Sequence, residues 1–360
     1  MFSASSPQIR NSYPMTAPDK SKRPTVSIIM PVYNAEKFLH DSIGSVLRQS
    51  SGNFELICFN DASTDSSLQI LNDIAAGADA GGRIRVIDSP VNLRQGGGRN
   101  RALREARGKY VMFLDADDAL RDDAIATCLA AAERENADMV VFDYCRFTVA
   151  PDNAGERICQ LGEDAADLRG EELRLRIIRK STPVWSAMYR KELITDNGLF
   201  FPEKVFYEDN AVALAIQLSA ARPVKINEVL YLYRFDNASV TRSTNNYRFF
   251  DRLSSAVSLM NNLKRLGLYD RFKDDIDYVF ISQYFIHSVF GCIYRFDRVP
   301  LMRHHYICKT IGRYLPDYRS NPLYKAQPAG LRFKIWTHAR FPRIIRLLSA
   351  ISRKIRGAAG

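Results

Sequence analysis

From residue 25 the chain repeats one pattern: an apolar run, a polar break, then a stretch with helical apolar spacing. The runs are TVSIIMPVYN, FELICFN, RIRVIDS, YVMFLDA and DMVVFDY. Between them lie AEKFLHDSIGSVLRQ, DASTDSSLQILNDIAA, GGGRNRALREAR and DAIATCLAAAERENA. Strands that alternate with helices build βαβ units and a mostly parallel sheet. This constrains the fold more than any other feature. Such a sheet is covered on both faces and binds its ligands at the carboxyl ends of its strands. In the first helix Phe38, Ile43, Val46 and Leu47 share one stripe, and Asn34 is placed to cap it. The second helix is entered through Ser63 or Thr64, and the third starts after Gly96, Gly97 and Gly98.

The polar clusters fall at the expected strand ends. Tyr33 and Asn34 follow the first run, Asn60 and Asp61 the second, and Asp115, Asp117 and Asp118 the fourth. Asn34 and Ser63 read as helix caps, but capping does not account for three acids in one place. Like charges there repel unless something offsets them. A D-x-D at a strand end suits a hard divalent cation, which takes oxygen ligands from one or two carboxylates and from substrate phosphates. The three glycines permit a tight turn or a close backbone approach. They are not a dinucleotide fingerprint, because G-x-G-x-x-G is absent and the segment follows the third strand. That removes a NAD-dependent dehydrogenase, and no Walker A pattern is present. Arg99 could reach a phosphate or a ribose, or be an ordinary solvated arginine.

The 360 residues allow one large or two ordinary domains, and 46% hydrophobic content is ample for a core. The net charge of +11 is concentrated at one end. Residues 301–360 hold 13 Lys/Arg and one acid, Asp317, while the first 300 residues are close to neutral. A neutral body with a basic appendage argues against a chain built throughout to coat nucleic acid. Six cysteines without paired or metal-ligand spacing read as reduced buried thiols. The Ser/Pro-rich residues 1–24 have no apolar core and read as a disordered leader rather than a secretory signal. No stretch reaches the ~18–20 apolar residues needed to span a bilayer. YVFISQYFIHSVFGCIY reads as a buried helix. From about residue 240 the chain is mainly helical, and it has no internal repeats.

Four segments then carry a resemblance. VSIIMPVYNAEKFLHDSIGSVLRQS, ELICFNDASTDSS, NLRQGGGRNRALREARGKYVMFLDADD and FFPEKVFYEDNAVALAIQL resemble, in order and spacing, the successive motifs of a family 2 glycosyltransferase. The resemblance covers roughly residues 25–245. It implies an α/β GT-A fold: a Rossmann-like nucleotide-binding half with a mostly parallel central sheet flanked by helices. Residues 246–330 then form a helical C-terminal region, and 331–360 a basic amphipathic tail helix.

The resemblance also implies roles. Asn60 and Asp61 stand where the family has two acids that contact the base and ribose, and here the first is Asn. Pro31 and Tyr33 line the same pocket, and Arg99 matches an arginine of the donor site. Asp115 and Asp117 match the D-x-D. Asp117 is the direct ligand of Mn²⁺ or Mg²⁺, Asp115 a ribose or outer contact, and Asp118 a cap of the next helix. Asp209 of YEDN is the general base of an inverting single displacement, with Glu208 as runner-up or acceptor-orienting group. Trp185 stacks on an acceptor sugar or belongs to the core. Arg234 and Ser239 close over the diphosphate. The implied substrates are a nucleotide-sugar, expected to be a UDP-sugar, and a hydroxyl on a glycan or lipid-linked glycan of a bacterial envelope polysaccharide. Two rivals are a processive synthase, for which neither transmembrane helices nor a QxxRW-like segment is found, and a non-catalytic GT-A scaffold.

The tail, HARFPRIIRLLSAISRKIRG, places Phe341, Ile344, Leu348, Ile351 and Ile355 on one stripe. Arg343, Arg346, Arg353, Lys354 and Arg356 lie largely opposite. Such a helix lies on an anionic membrane surface, or docks its stripe on the body of the protein. The first alternative implies a cytoplasmic protein peripheral to the inner face of the plasma membrane. Nucleic acid is not expected as a partner, because no recognition module accompanies the charge.

Overall fold

The computed structural model describes residues 23–151, 155–235 and 244–357. The leader expected over 1–24 lies almost wholly outside them, and Ser239 lies outside them as well.

Four strands form a parallel block: β1 (Val26–Val32), β2 (Phe54–Asn60), β3 (Ile84–Asp88) and β4 (Tyr110–Phe113). β1 lies between β2 and β4, and β3 pairs on the far side of β2. Every residue of β1 and β2 is buried, so these strands read as continuous apolar runs rather than alternating ones. Val26, Ile28, Met30 and Val32 enter one apolar cluster and Ile29 the other, one on each face of the sheet. Helices α1 (Leu39–Leu47), α2 (Ser67–Ala76), α3 (Arg94–Glu105) and α4 (Ala124–Arg134) follow the strands as the pattern predicts. Leu39, Ile43 and Val46 turn the buried face of α1 onto the sheet.

Beyond β4 the sheet departs from a simple parallel series. β5 (Ala119–Leu120), β6 (Met139–Phe147), β7 (Arg157–Ile158), β8 (Ala187–Arg190) and β9 (Pro223–Arg234) complete it. The order is β3-β2-β1-β4-β8-β6-β9-β5, with β7 on β6. β8 inserts between β4 and β6, antiparallel to both. The fifth predicted run therefore sits one place further out than its position in the chain suggests. β8 has only four residues and no flanking turn signal, so its sequence did not announce it.

Two local expectations are corrected. Asn34 and Ser63 do not cap their own helices. Asn34 Oδ1 accepts from Thr64 N–H at 2.8 Å, and Ser63 Oγ accepts from Asn34 N–H at 3.1 Å. Glu36 N–H donates to Asp65 Oδ2 at 3.2 Å and Glu36 Oε2 accepts from Ser66 N–H at 2.9 Å, so the loops after β1 and β2 are stitched to each other. The glycines do not precede a helix either. Gly96, Gly97 and Gly98 lie inside α3, where a side chain at Gly98 would press on Phe59 and Pro31. They let the helix lie against β1 and β2.

The remaining helices are α5 (Gly170–Lys180), α6 (Glu192–Thr195), α7 (Ala213–Ser219), α8 (Asp251–Arg265), α9 (Lys273–Phe280), α10 (His287–Tyr294), α11 (Leu301–Tyr314), α12 (Pro322–Lys325), α13 (Ala329–Arg340) and α14 (Pro342–Gly357). One apolar cluster runs from Ile29 and Phe113 in the sheet through Phe201 and Val212 to Leu263, Ile281, Ile311 and Ile335. The helical region thus shares its core with the sheet. Helix α8 also braces the segment between β8 and α7. Asn262 donates to the Ala211 carbonyl at 3.2 Å, and Asp251 accepts from Phe206 N–H at 3.1 Å. The run Asp270–Tyr294 is, by length and composition, one helix among the described residues able to cross a membrane, which the residue count alone missed. Its most apolar 18-residue window is 67% buried inside the protein, and the run includes Phe280, Ile281, Tyr284 and Val289 of the core. All six cysteines are free.

The packing of α3 gives a paired prediction. A methyl at Gly96 would overlap the Pro202 carbonyl and come within 3.1 Å of Glu208 Cβ and Cγ. Gly96→Ala should therefore cost about 1–3 kcal/mol in urea denaturation. Gly312, inside α11, has open space at the same position, and Gly312→Ala should raise stability by about 0.4–1 kcal/mol.

Candidate active site

The centre of the site is Arg99, 2% exposed, on the face of α3 turned toward the ends of β1 and β4. Its Nη2 lies 2.7 Å from Asp115 Oδ1 and its Nη1 2.5 Å from Glu208 Oε1. Its guanidinium also lies over the Phe201 ring, 5.4 Å from the centroid. The arginine expected on the donor meets two acids here, and a buried guanidinium is stable where carboxylates pair with it. Burial works against its charge, but Asp115, Glu208 and Asp209 outweigh that and hold it protonated more firmly than an ordinary arginine. The next residue, Asn100, locks the geometry. It donates to the Phe201 carbonyl at 2.7 Å and accepts from Phe201 N–H at 2.9 Å, tying α3 to the segment that carries the acids.

That segment holds Glu208 and Asp209 side by side. Burial pushes the Glu208 carboxyl up; Arg99 opposes the rise and Asp209 adds to it. Burial also raises Asp209, again against Arg99. Asp209 Oδ1 accepts the Asn210 N–H at 2.8 Å, and the side chain has no salt-bridge partner among the described residues. Glu208 is committed to Arg99, whereas Asp209 is half-buried beside it.

At the end of β2, Asn60 and Asp61 are buried. Asp61 Oδ1 accepts the Leu93 N–H at 2.6 Å at the entrance to α3, a favourable place for a carboxylate. Burial nonetheless raises its pKa, against the Leu93 and Arg94 amides. Asn60 donates from Nδ2 to Asp88 at 2.7 Å. The charge that Asn60 lacks therefore stands beside it on β3. Asn60 Oδ1 is buried with no hydrogen-bond partner among the described residues. An unpaired buried acceptor costs about 1–3 kcal/mol, so a donor N–H from a ligand would relieve it. Pro31 is buried at the end of β1 beside Gly98, and Tyr33, just beyond it, is 52% exposed.

The three acids after β4 separate into three situations. Asp115 is half-buried on Arg99, Asp117 is exposed, and Asp118 is buried. Asp118 does not cap α4. It accepts from Tyr231 Oη at 2.6 Å and from Arg234 N–H at 2.7 Å, which ties the D-x-D to β9. Tyr231 Oη also accepts the Asp115 N–H at 3.2 Å. Arg234 is also engaged with the protein. Its guanidinium donates to the carbonyls of Asp117 at 2.8 Å and Val149 at 3.1 Å and to Asp41 at 2.9 Å, between the rings of Phe38 and Phe147. It holds the backbone of Asp117. Trp185 is half-buried and stacks on Tyr231 at 4.4 Å and Tyr233 at 5.6 Å, so an acceptor sugar could use only what those rings leave. Reasoning from sequence missed Tyr231, Asp88 and Asn100. The strand-end rule that found Asn60 would also have found Asp88.

No group of three or more His, Cys, Asp or Glu side chains among the described residues could hold a metal ion unaided. The donor set here is two carboxylates, Asp117 exposed and Asp115 with one oxygen on Arg99. That set fits a hard divalent cation that keeps waters and takes further oxygens from a diphosphate, and it does not fit an all-protein cage.

Residues 27–193 match the family model described as Glycosyl transferase family 2. The chain is 33% identical over 225 residues to the uncharacterized glycosyltransferase EpsJ of Bacillus subtilis, covering 61% of this chain and 63% of EpsJ. It is 26% identical over 235 residues to glycosyltransferase GlyG of Streptococcus pneumoniae, covering 61% of this chain and 73% of GlyG. The chain thus spans less than two thirds of EpsJ. The crystal structure of S. aureus TarS 1–349 superposes with a TM-score of 0.64 at 23% identity over 92% of each chain. TarS 1–349 has also been solved in complex with UDP-GlcNAc. The fold is GT-A: a mixed sheet with mostly parallel strands, flanked by helices, with a helical C-terminal region.

Removing the Arg99 cation should expose the repulsion it offsets. Arg99→Met should lower stability at neutral pH by about 3–5 kcal/mol. A carboxyl whose folded pKa is raised contributes stability below its unfolded pKa of about 4.3 and loses it as pH climbs through the folded value. Without Arg99 the pKa values of Glu208 and Asp209 rise further. Urea midpoints of the variant should therefore fall more steeply than those of the parent between about pH 5 and 8. Adding Glu208→Gln should recover part of the loss.

Proposed function

We propose that this chain is a metal-dependent inverting glycosyltransferase. It moves a sugar from a nucleotide diphosphate donor, a UDP-sugar, to a hydroxyl of a glycan or lipid-linked glycan in cell-envelope polysaccharide synthesis. The observation that carries this is the Asp115–Arg99–Glu208 bridge, 2.7 and 2.5 Å on its two sides. It joins the D-x-D end of the site to the Asp209 end through one rigid group. The match of residues 27–193 to the family model and the fold shared with a protein solved with UDP-GlcNAc support the reading.

The chemistry follows from where the groups stand. Asp61 and the unpartnered Oδ1 of Asn60 offer acceptors to ribose and base. Asp117 and Asp115 would hold Mn²⁺ or Mg²⁺, which when bound neutralises the diphosphate leaving group. Asp209 takes the proton of the acceptor hydroxyl as its oxygen bonds to the anomeric carbon and the bond to the diphosphate breaks. Its raised pKa makes it a better base near neutral pH than an ordinary aspartate. Glu208, held on Arg99, positions that loop. Asp118 and Arg234 fix the backbone on which Asp117 stands.

The test is donor turnover. The purified chain, given a panel of UDP-, GDP-, CDP- and dTDP-sugars with Mn²⁺, should release nucleotide diphosphate from one donor, and chelator should stop it. Asp209→Asn should lower acceptor-dependent turnover by about 10²–10⁴-fold while UDP binding by calorimetry stays unchanged. Turnover in Asp209→Asn equal to the parent would remove the base assignment, and absence of any nucleotide binding would remove the reading itself.

A further inference from the structure

The last two helices leave a surface that the transfer chemistry does not use. Helix α13 is anchored on one side only. Ile335 is buried, and the buried His338 meets Tyr294 Oη at 2.6 Å through Nε2, while its carbonyl meets His304 Nε2 at 3.0 Å. Its other side presents Phe333, 64% exposed, stacked on Trp336, 48% exposed. Trp336 meets Phe341 edge-on at 5.6 Å where α14 begins. Along α14, Ile345 and Arg346 turn toward the body, while Ile344, Leu347 and Leu348 stand more than half exposed. The apolar stripe read from the sequence therefore faces outward over its described length and is longer than expected, because α13 adds two rings. Ile351 and Ile355 lie beyond the described side chains. A continuous ridge of large apolar groups marks an interface.

A groove runs beside the ridge. It measures about 330 Å³ and is lined by Asp297, Arg298, Val299, Leu301, Arg343 and Arg346. Arg346 Nη1 is buried there with no hydrogen-bond partner among the described residues. Its other nitrogens reach only the Asp297 carbonyl at 3.4 Å and the Asp297 carboxylate at 3.9 Å. Three guanidiniums against one carboxylate, with a buried N–H unanswered, fit a phosphate.

Charge selects the occupant of the ridge. Residues 329–360 carry eight Lys/Arg and no Asp/Glu. A second copy joined through this same face would set those eight cations against eight more, because a two-fold interface is self-complementary. A negatively charged leaflet opposes them with phosphate, and Trp, Phe and Leu beside Arg are the residues that settle at its boundary. We propose that α13 and α14 dock this protein on an anionic phospholipid bilayer, the ridge entering the acyl boundary and the Arg298–Arg343–Arg346 groove taking a headgroup phosphate. Docking puts the protein on the inner face of the plasma membrane, where a lipid-linked acceptor would be within reach. It does not depend on the transfer reaction, and its test does not read activity.

The full chain is floated with vesicles of phosphatidylcholine alone and with about 30% phosphatidylglycerol, in buffers of low and high salt. Binding should require the anionic lipid, weaken with salt, and shift Trp336 fluorescence to the blue, a shift lost in Trp336→Phe. The triple variant Phe333→Ser, Trp336→Ser, Leu347→Ser changes only exposed side chains and should melt with the parent. Its partitioning should fall by roughly tenfold or more. Arg343→Gln with Arg346→Gln should weaken partitioning several-fold, and inorganic phosphate at millimolar concentration should not displace the parent from vesicles. Equal partitioning of parent and triple variant would overturn the proposal. So would a failure to bind anionic vesicles, a dimer in light scattering that the triple variant abolishes, or tighter binding to single-stranded RNA than to the vesicles.

Discussion

A guanidinium with 2% exposure is stable only if carboxylates meet it, and Asp115 and Glu208 would repel each other and Asp209 if it were absent. Arg99 and these acids therefore depend on one another, and much of the surrounding fold serves their meeting. The glycines of α3 let the helix lie against β1, β2 and the Glu208 segment. Asn100 bonds both backbone groups of Phe201, so the acid-bearing loop cannot drift from the helix. Helix α8 closes the loop from the other side through Asn262 and Asp251. The helical region is thus part of the site's support.

A second arginine does the same work at the D-x-D. Arg234 binds the Asp117 carbonyl while its backbone N–H binds Asp118, and Tyr231 joins Asp118 to the Asp115 amide. Arg99 holds two carboxylates, and Arg234 holds chiefly backbone carbonyls. Asp117, exposed, is the acid that this scaffold delivers to the mouth of the site. Preorganisation of this kind lets charged groups act without being rearranged at the moment of reaction. Away from these residues α14 turns Arg346 inward and its leucines outward, the reverse of what a helix docking only on its own protein would do.

The sequence by itself determined the first four strands, the helices between them, and the strand ends at which Asn60, Asp61, Asp115 and Asp117 stand. Those follow from periodicity and from short-range propensity, which neighbouring residues encode. It also showed a basic amphipathic tail. What only the tertiary structure decided is what each charged or capping group binds. Arg99 finds Glu208 across 109 positions and Arg234 finds Asp41 across 193, and no local pattern records either partner. Asn34 and Ser63 look like caps because a short polar side chain after a strand has the same sequence whether it bonds its own helix or the next loop. β8 was hidden for a related reason, since four residues inserted antiparallel between distant strands are stabilised by pairings their own sequence does not specify. The direction of the α14 stripe was open as well. Helical spacing sets which residues share a face, whereas the packing of α10 and α13 beneath it sets which face meets water.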